Sequence, residues 1–127
     1  MGGEVEGGVI RPALYEGVAP ELRLSRDEVF GPVALLRPYD TFSEAVRFVN
    51  SGRFGLQVGV FTRDVRTIWR AAEELDCGGV IHDDVPSFRV DAMPYGGQRD
   101  SGVGREGPRF TIEDLTERRT LVLRTAD

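Results

Sequence analysis

The chain has 127 residues, the size of one ordinary domain, with a hydrophobic fraction of 40% and a net charge of −5. All 16 basic residues are arginines scattered along an acidic chain, which argues against a phosphate-binding stripe and removes Schiff-base and P-loop lysine chemistry. One cysteine excludes an intrachain disulfide, no apolar run approaches the roughly 20 residues of a membrane span, and the acidic start has no secretory pattern; the expectation is a cytoplasmic globular protein with no nucleic-acid or membrane partner.

Val9 to Leu14 reads as a strand, and Pro12 inside it points to a sheet edge. Glu16 to Asp27 reads as irregular. Val33-Ala34-Leu35-Leu36 has the unbroken apolar pattern of a strand buried on both faces. Thr41-Phe42-Ser43-Glu44 has the spacing of a capping box. Behind it Phe42, Ala45, Val46 and Val49 share one helical face, and Gly52 suits the stop. Val58 to Phe61 reads as the next strand. Thr62 or Asp64 can cap a helix with the apolar stripe Val65, Ile68, Trp69, Ala72 and Leu75. Gly78-Gly79 ends that helix and Val80-Ile81 opens a third strand. Strand and helix alternate, which predicts parallel strands with right-handed crossovers. Asp83 to Gly107 is a long glycine-rich loop, and such loops in small domains are usually functional. Pro108 suits the first turn of a last helix through Leu115. Arg118 to Arg124 reads as a final strand.

Four motifs carry candidate chemistry. Gly102-Val103-Gly104-Arg105-Glu106-Gly107 fits GxGxxG by letter, but Tyr95 to Asp100 before it reads as loop, and the motif holds a pyrophosphate only after a buried strand. Cys77 follows a helix C-terminus and has Glu73, Glu74 and Asp76 nearby, so a thiolate is disfavoured and a small packed side chain is the better reading. His82-Asp83-Asp84 cannot converge on a metal from one strand, because neighbours point to opposite faces. Asp27-Glu28-Val29-Phe30-Gly31-Pro32-Val33 sets an acid and an aromatic on one face, suited to a ribose diol and a flat heterocycle. Taken alone, that stretch reads better as a turn before a strand.

It does not stand alone. Glu28-Val29-Phe30-Gly31-Pro32-Val33 resembles the motif EExFGPV of the NAD(P)-dependent aldehyde dehydrogenases. Pro94-Tyr95-Gly96-Gly97 with Ser101-Gly102-Val103-Gly104-Arg105-Glu106 resembles the family's PFGGxKxSGxGRE. Gly55-Leu56 with Val60-Phe61-Thr62-Arg63-Asp64, and Thr116-Glu117 with Arg119-Thr120-Leu121-Val122, resemble the family's intervening and closing stretches. The order is the family's own, and the similarity runs from about Gly8 to Arg124.

By position, the resemblance implies that Glu28 holds the nicotinamide ribose and Phe30 packs near the nicotinamide. It implies that Tyr95 lines the aldehyde pocket, that Asp84 to Phe88 shapes the substrate tunnel with Phe88 as a wall, and that Leu121 to Leu123 pairs with a neighbouring subunit. The departures are Asp27 for the family's first glutamate, His82-Asp83 around its usual asparagine, and Arg99 for its lysine. The family's nucleophilic cysteine, general-base glutamate, oxyanion asparagine and coenzyme domain lie upstream of this segment. The family reaction is thiolate attack on the aldehyde, hydride transfer to NAD or NADP, and thioester hydrolysis. None of those reacting groups falls within these residues, so no catalytic residue is assigned and the isolated chain is not expected to hold coenzyme or turn over.

The expectation is therefore an α/β partial catalytic domain over residues 1–127. It has about three parallel strands with flanking helices and a C-terminal β-arm at 118–124. Its partner is an N-terminal aldehyde dehydrogenase fragment, or a second copy through that arm. The alternative is a non-catalytic oligomerisation or interaction module derived from the same family. Which aldehyde, and NAD against NADP, are not legible, because the residue reading the ribose 2′ position lies elsewhere.

Overall fold

The computed structural model describes residues 2–125. The chain divides into two compact units, the first ending at Arg53 and the second starting at Phe54.

In the first unit, β1 (Val5–Glu6) and β2 (Val9–Ile10) form an antiparallel hairpin. Gly7 and Gly8 between them have φ of +57° and +84°, the left-handed conformation a two-residue primed turn requires. The run expected as one strand over Val9 to Leu14 breaks at Arg11-Pro12 and resumes as β3 (Ala13–Glu16). Proline has no N–H to continue a ladder, so the chain changes partner there. β3 runs parallel to β4 (Val33–Leu36), with Ala13 opposite Val33 and Glu16 opposite Leu36. Leu35 and Leu36 are exposed, against the expectation of a strand covered on both faces; a two-stranded sheet has too little cover for that. The stretch expected to be irregular holds one short helix, α1 (Arg23–Arg26).

The helix predicted after Thr41 is α2 (Phe42–Asn50). Thr41 Oγ1 accepts from the Glu44 N–H at 3.2 Å. Glu44 reaches back one residue further than in the usual box and accepts from the Asp40 N–H at 3.2 Å. Val46 on its inner face is buried.

In the second unit, β5 (Phe54–Gly55) pairs antiparallel with β8 (Gln98–Arg99). β6 (Gln57–Val60) runs parallel to β7 (Gly79–His82), and α3 (Val65–Glu74) joins them as a β-α-β crossover. Asp64 is the cap of α3: its carboxylate accepts from the N–H groups of Arg66 and Thr67, both at 3.2 Å, and from the Thr67 hydroxyl at 2.7 Å. These bonds favour the charged carboxylate and hold its pKa below the usual range, the Thr67 hydroxyl contributing most. α3 packs on β7, and its fully buried residue is Ala71. Trp69 and Val65, expected on the inner stripe, are instead exposed. α4 (Pro108–Leu115) begins with proline, as predicted.

The three strands expected to be parallel are present, but they fall into two separate parallel pairs with β3 as the additional member. Residues 118–124 lie outside the hydrogen-bonded strands of the described residues. A strand exists by virtue of a partner, and among those residues this segment has none. No helix among the described residues is long and apolar enough to cross a membrane.

Candidate functional site

Glu28 and Phe30 belong to the first unit. Asp27 caps the end of α1 and is held by Arg23, whose Nε donates to Asp27 Oδ2 at 2.9 Å. That hydrogen bond is the main reason the Asp27 carboxyl sits below its usual range. Glu28 is exposed, and its carboxylate makes no hydrogen bond or ion pair among the described residues. Gly31 N–H then bonds the Val29 carbonyl at 2.9 Å, and Val33 N–H the Gly31 carbonyl at 2.8 Å. Phe30 is the central residue of the first of these two tight turns, and it is 93% exposed. Pro32 at the end of the turn accepts from Ala13 N–H at 2.9 Å, so the motif is anchored to the parallel β3–β4 pair. An exposed carboxylate able to accept from a ribose diol, beside an open aromatic face able to pack on a flat ring, is the chemistry this stretch offers.

Phe88 and Tyr95 belong to the second unit, on the long loop that leaves β7. Its entry is strained: Asp83 has φ +59° without being glycine. Asp84 Oδ1 accepts from Val85 N–H at 2.7 Å, and Phe88 N–H bonds the Val85 carbonyl at 3.1 Å. Gln57 on β6 holds the turn from below, donating through Nε2 to the carbonyls of Pro86 and Phe88 at 2.5 and 3.2 Å. Gly59 lets the loop lie on the strand: a Cβ there would stand 2.6 Å from the Asp84 carbonyl oxygen.

Tyr95 is fixed by a two-bond bridge to Glu106. Its N–H donates to the Glu106 carbonyl at 3.0 Å, and the Glu106 N–H returns to the Tyr95 carbonyl at 2.6 Å. Sequence reasoning missed what this brings together. Arg89 places its guanidinium carbon 4.3 Å from the centre of the Tyr95 ring and bonds Glu106 Oε2 at 3.1 Å. The one legible signal was an arginine directly after the loop phenylalanine. Beyond the bridge, a cleft of about 480 Å³ opens between the loop and α4, with Tyr95, Arg105, Thr111 and Asp114 among its walls.

The remaining candidates have local roles. Gly102, Gly104 and Gly107 all have positive φ, and Gly107 is the N-cap of α4. The strand that precedes them is the two-residue antiparallel β8, which is not the parallel strand that introduces a pyrophosphate loop. Burial pushes the Cys77 thiol up, and Asp76 adds to it against Arg99. His82 Nε2 stands 2.8 Å from the Thr62 carbonyl oxygen, tying β7 to the end of β6. Among the described residues, no three His, Cys, Asp or Glu side chains form a group able to hold a metal.

A sequence model described as the aldehyde dehydrogenase family matches residues 1–121. A 3-sulfolactaldehyde dehydrogenase of Priestia megaterium is 42% identical over 123 residues, which is 97% of this chain and 26% of the relative. The crystal structure of aldehyde dehydrogenase 21 from Physcomitrella patens, in complex with the reaction product succinate, superposes with a TM-score of 0.92. It is 44% identical and is matched over 98% of this chain and 26% of its own. A glyceraldehyde-3-phosphate dehydrogenase from Methanocaldococcus jannaschii complexed with NADP matches at TM-score 0.82 and 34% identity, over 91% of this chain and 25% of its own. The NAD+ complex of an aldehyde dehydrogenase from Bacillus cereus matches at TM-score 0.83 and 30% identity, over 90% and 23%. The chain thus spans about a quarter of the length of the proteins it matches.

Proposed function

Since the chain belongs to the aldehyde dehydrogenase family, we propose that it forms the C-terminal part of an NAD(P)-dependent enzyme oxidising a short, anion-tailed aldehyde. The observation that carries the substrate class is Arg89, an exposed guanidinium seated on the ring of Tyr95. The Priestia relative is named for a sulfonated aldehyde, and the Physcomitrella relative is held with the dicarboxylate succinate. A planar fork of donors suits both sulfonate and carboxylate.

Glu28 accepts hydrogen bonds from the nicotinamide ribose and Phe30 packs beside the nicotinamide. The coenzyme held by Glu28 and Phe30 would supply the hydride acceptor for the oxidation. Phe88 and Tyr95 wall the aldehyde tunnel and exclude water, and Arg89 orients the substrate by its charged end. The thiolate and the base come from outside these 127 residues, and the chain acts in the cytoplasm. Relatives complexed with NADP and with NAD+ support either coenzyme.

The test is a chimera in which this sequence replaces the matching quarter of the Priestia enzyme. Reduced nicotinamide is followed with 3-sulfolactaldehyde, succinate semialdehyde and propanal, and the 127-residue chain alone is run beside it. Turnover of the anionic aldehydes by the chimera, with none by the chain alone, is expected. A folded chimera without turnover, or turnover by the chain alone, overturns the reading.

A second reading is favoured by one observation. Leu121, Val122 and Leu123 are 75–81% exposed, and an open apolar edge invites strand pairing. On that reading the segment 118–124 is an arm that joins a second copy or an N-terminal partner.

A further inference from the structure

One of the ties that fasten the functional loop is a departure from the family pattern. Arg99, where the family has lysine, adopts φ +54° on β8. Its Nη1 donates to the Asp76 carbonyl at 2.8 Å and also meets the Asp76 carboxylate. Its Nη2 donates to the Phe54 carbonyl at 2.6 Å. One guanidinium therefore ties together β5, the turn after α3, and the loop four residues beyond Tyr95. The side chain is 24% exposed, and its Nε is buried without a partner among the described residues. Burying a polar atom unpaired is unfavourable, so the remaining bonds must outweigh it.

The neighbourhood is shaped around this group. A Cβ at Gly55 would stand 2.9 Å from Arg99 Nη2 and 2.8 Å from the Asp76 carbonyl oxygen, so glycine there makes room for the fork. Ser101 Oγ accepts from Gly55 N–H at 2.9 Å, a second tie between the same two segments. Gly78 and Gly79 N–H groups bond the Gly55 and Leu56 carbonyls at 3.0 and 3.1 Å. Lysine carries a single ammonium with no planar fork, and it cannot match this directed set of three acceptors.

We propose that Arg99 is a positioning residue that locks the loop bearing Tyr95 and so sets how tightly the aldehyde is held, while leaving the chemical step alone. This rests on the aldehyde dehydrogenase reading above. Among the described residues Arg99 hydrogen-bonds neither Phe88 nor Tyr95; it acts through the loop between Tyr95 and Glu106.

Two measurements test it. In the chimera, Arg99→Ala and Gly55→Ala, which crowds the fork, are expected to raise the KM for succinate semialdehyde roughly tenfold to a hundredfold. The kcat is expected to stay within about twofold, and Arg99→Lys to fall between wild type and Arg99→Ala. In the 127-residue chain, hydrogen exchange of the Gly55, Gly78 and Glu106 amides is expected to quicken at least about tenfold in Arg99→Ala, with α3 amides unchanged. Asp76→Asn, which keeps the carbonyl acceptor, serves if Arg99→Ala does not fold. An unchanged KM, a loss confined to kcat, or exchange that quickens equally throughout α3 overturns the proposal. An unmutated chimera without turnover strikes the functional reading alone, and the exchange measurement then decides the clamp by itself.

Discussion

Arg89 stacks on Tyr95 and bonds Glu106 at the same time, with its guanidinium carbon 4.3 Å from the ring centre and Nη2 3.1 Å from Oε2. Stacking uses the flat face of the fork and Glu106 uses one edge, which leaves further N–H donors for an anion. Arg89→Ala in the chimera should therefore raise the KM for anionic aldehydes by about tenfold to a hundredfold, the size of one or two charged hydrogen bonds. Propanal kinetics should not move. Equal losses for charged and neutral aldehydes would show that Arg89 only supports the loop.

The caps of α2 and α3 give predictions about stability. Thr41 accepts one orphan N–H, so Thr41→Ala should cost about 1 kcal/mol in urea unfolding. Asp64 accepts from two backbone N–H groups and a hydroxyl, and its folded pKa is depressed. A depressed carboxyl contributes stability that is complete above its unfolded value of about 4. That contribution fades as pH falls through the lower folded value. Asp64→Asn keeps a capping oxygen and should flatten the acid limb of the melting-temperature profile, whereas Asp64→Ala should lower melting at neutral pH as well. An acid limb unchanged in Asp64→Asn would assign it to other carboxylates.

Much of this was legible because it depends on near neighbours. The cap of α2 is spelled out in Thr41 and Glu44, and the β6-α3-β7 crossover in the alternation of apolar periods. What was not legible depends on distant partners. β8 is the polar pair Gln98-Arg99, strand only because Phe54 and Gly55 lie beside it. The inner face of α3 is centred on Ala71, not on Trp69: a small side chain lets the helix approach β7, and hydropathy favoured the large one. At the site, the Glu28–Phe30 stretch was distinctive only as a whole motif. The Arg89–Glu106 pair spans a loop whose course no local pattern dictates.

Gly78 is a close-approach glycine between the Gly55-Leu56 segment and the Tyr95 loop. A methyl placed there would run into the carbonyl of Gly96, and backbone cannot yield as a flexible side chain can. Gly78→Ala should cost about 1–3 kcal/mol or more and should loosen the loop. Urea unfolding reads the first effect, and proteolytic cleavage between Tyr95 and Glu106 reads the second. A variant as stable and as resistant as wild type would show that the loop can move away without consequence.

The last prediction concerns the arm. Leu121 and Leu123 are 77% and 81% exposed and Val122 75%, three large apolar side chains in a row. Surface of that kind is stabilised by pairing with another strand. Sedimentation of the 127-residue chain should show association that rises with concentration. Val122→Lys should reduce it strongly, because a charge inside a strand interface must be desolvated. If wild type stays monomeric at every concentration, the arm is not an association surface for this chain. If wild type and Val122→Lys associate equally, the contact lies elsewhere, and the exposed Trp69 of α3 becomes the next position to substitute.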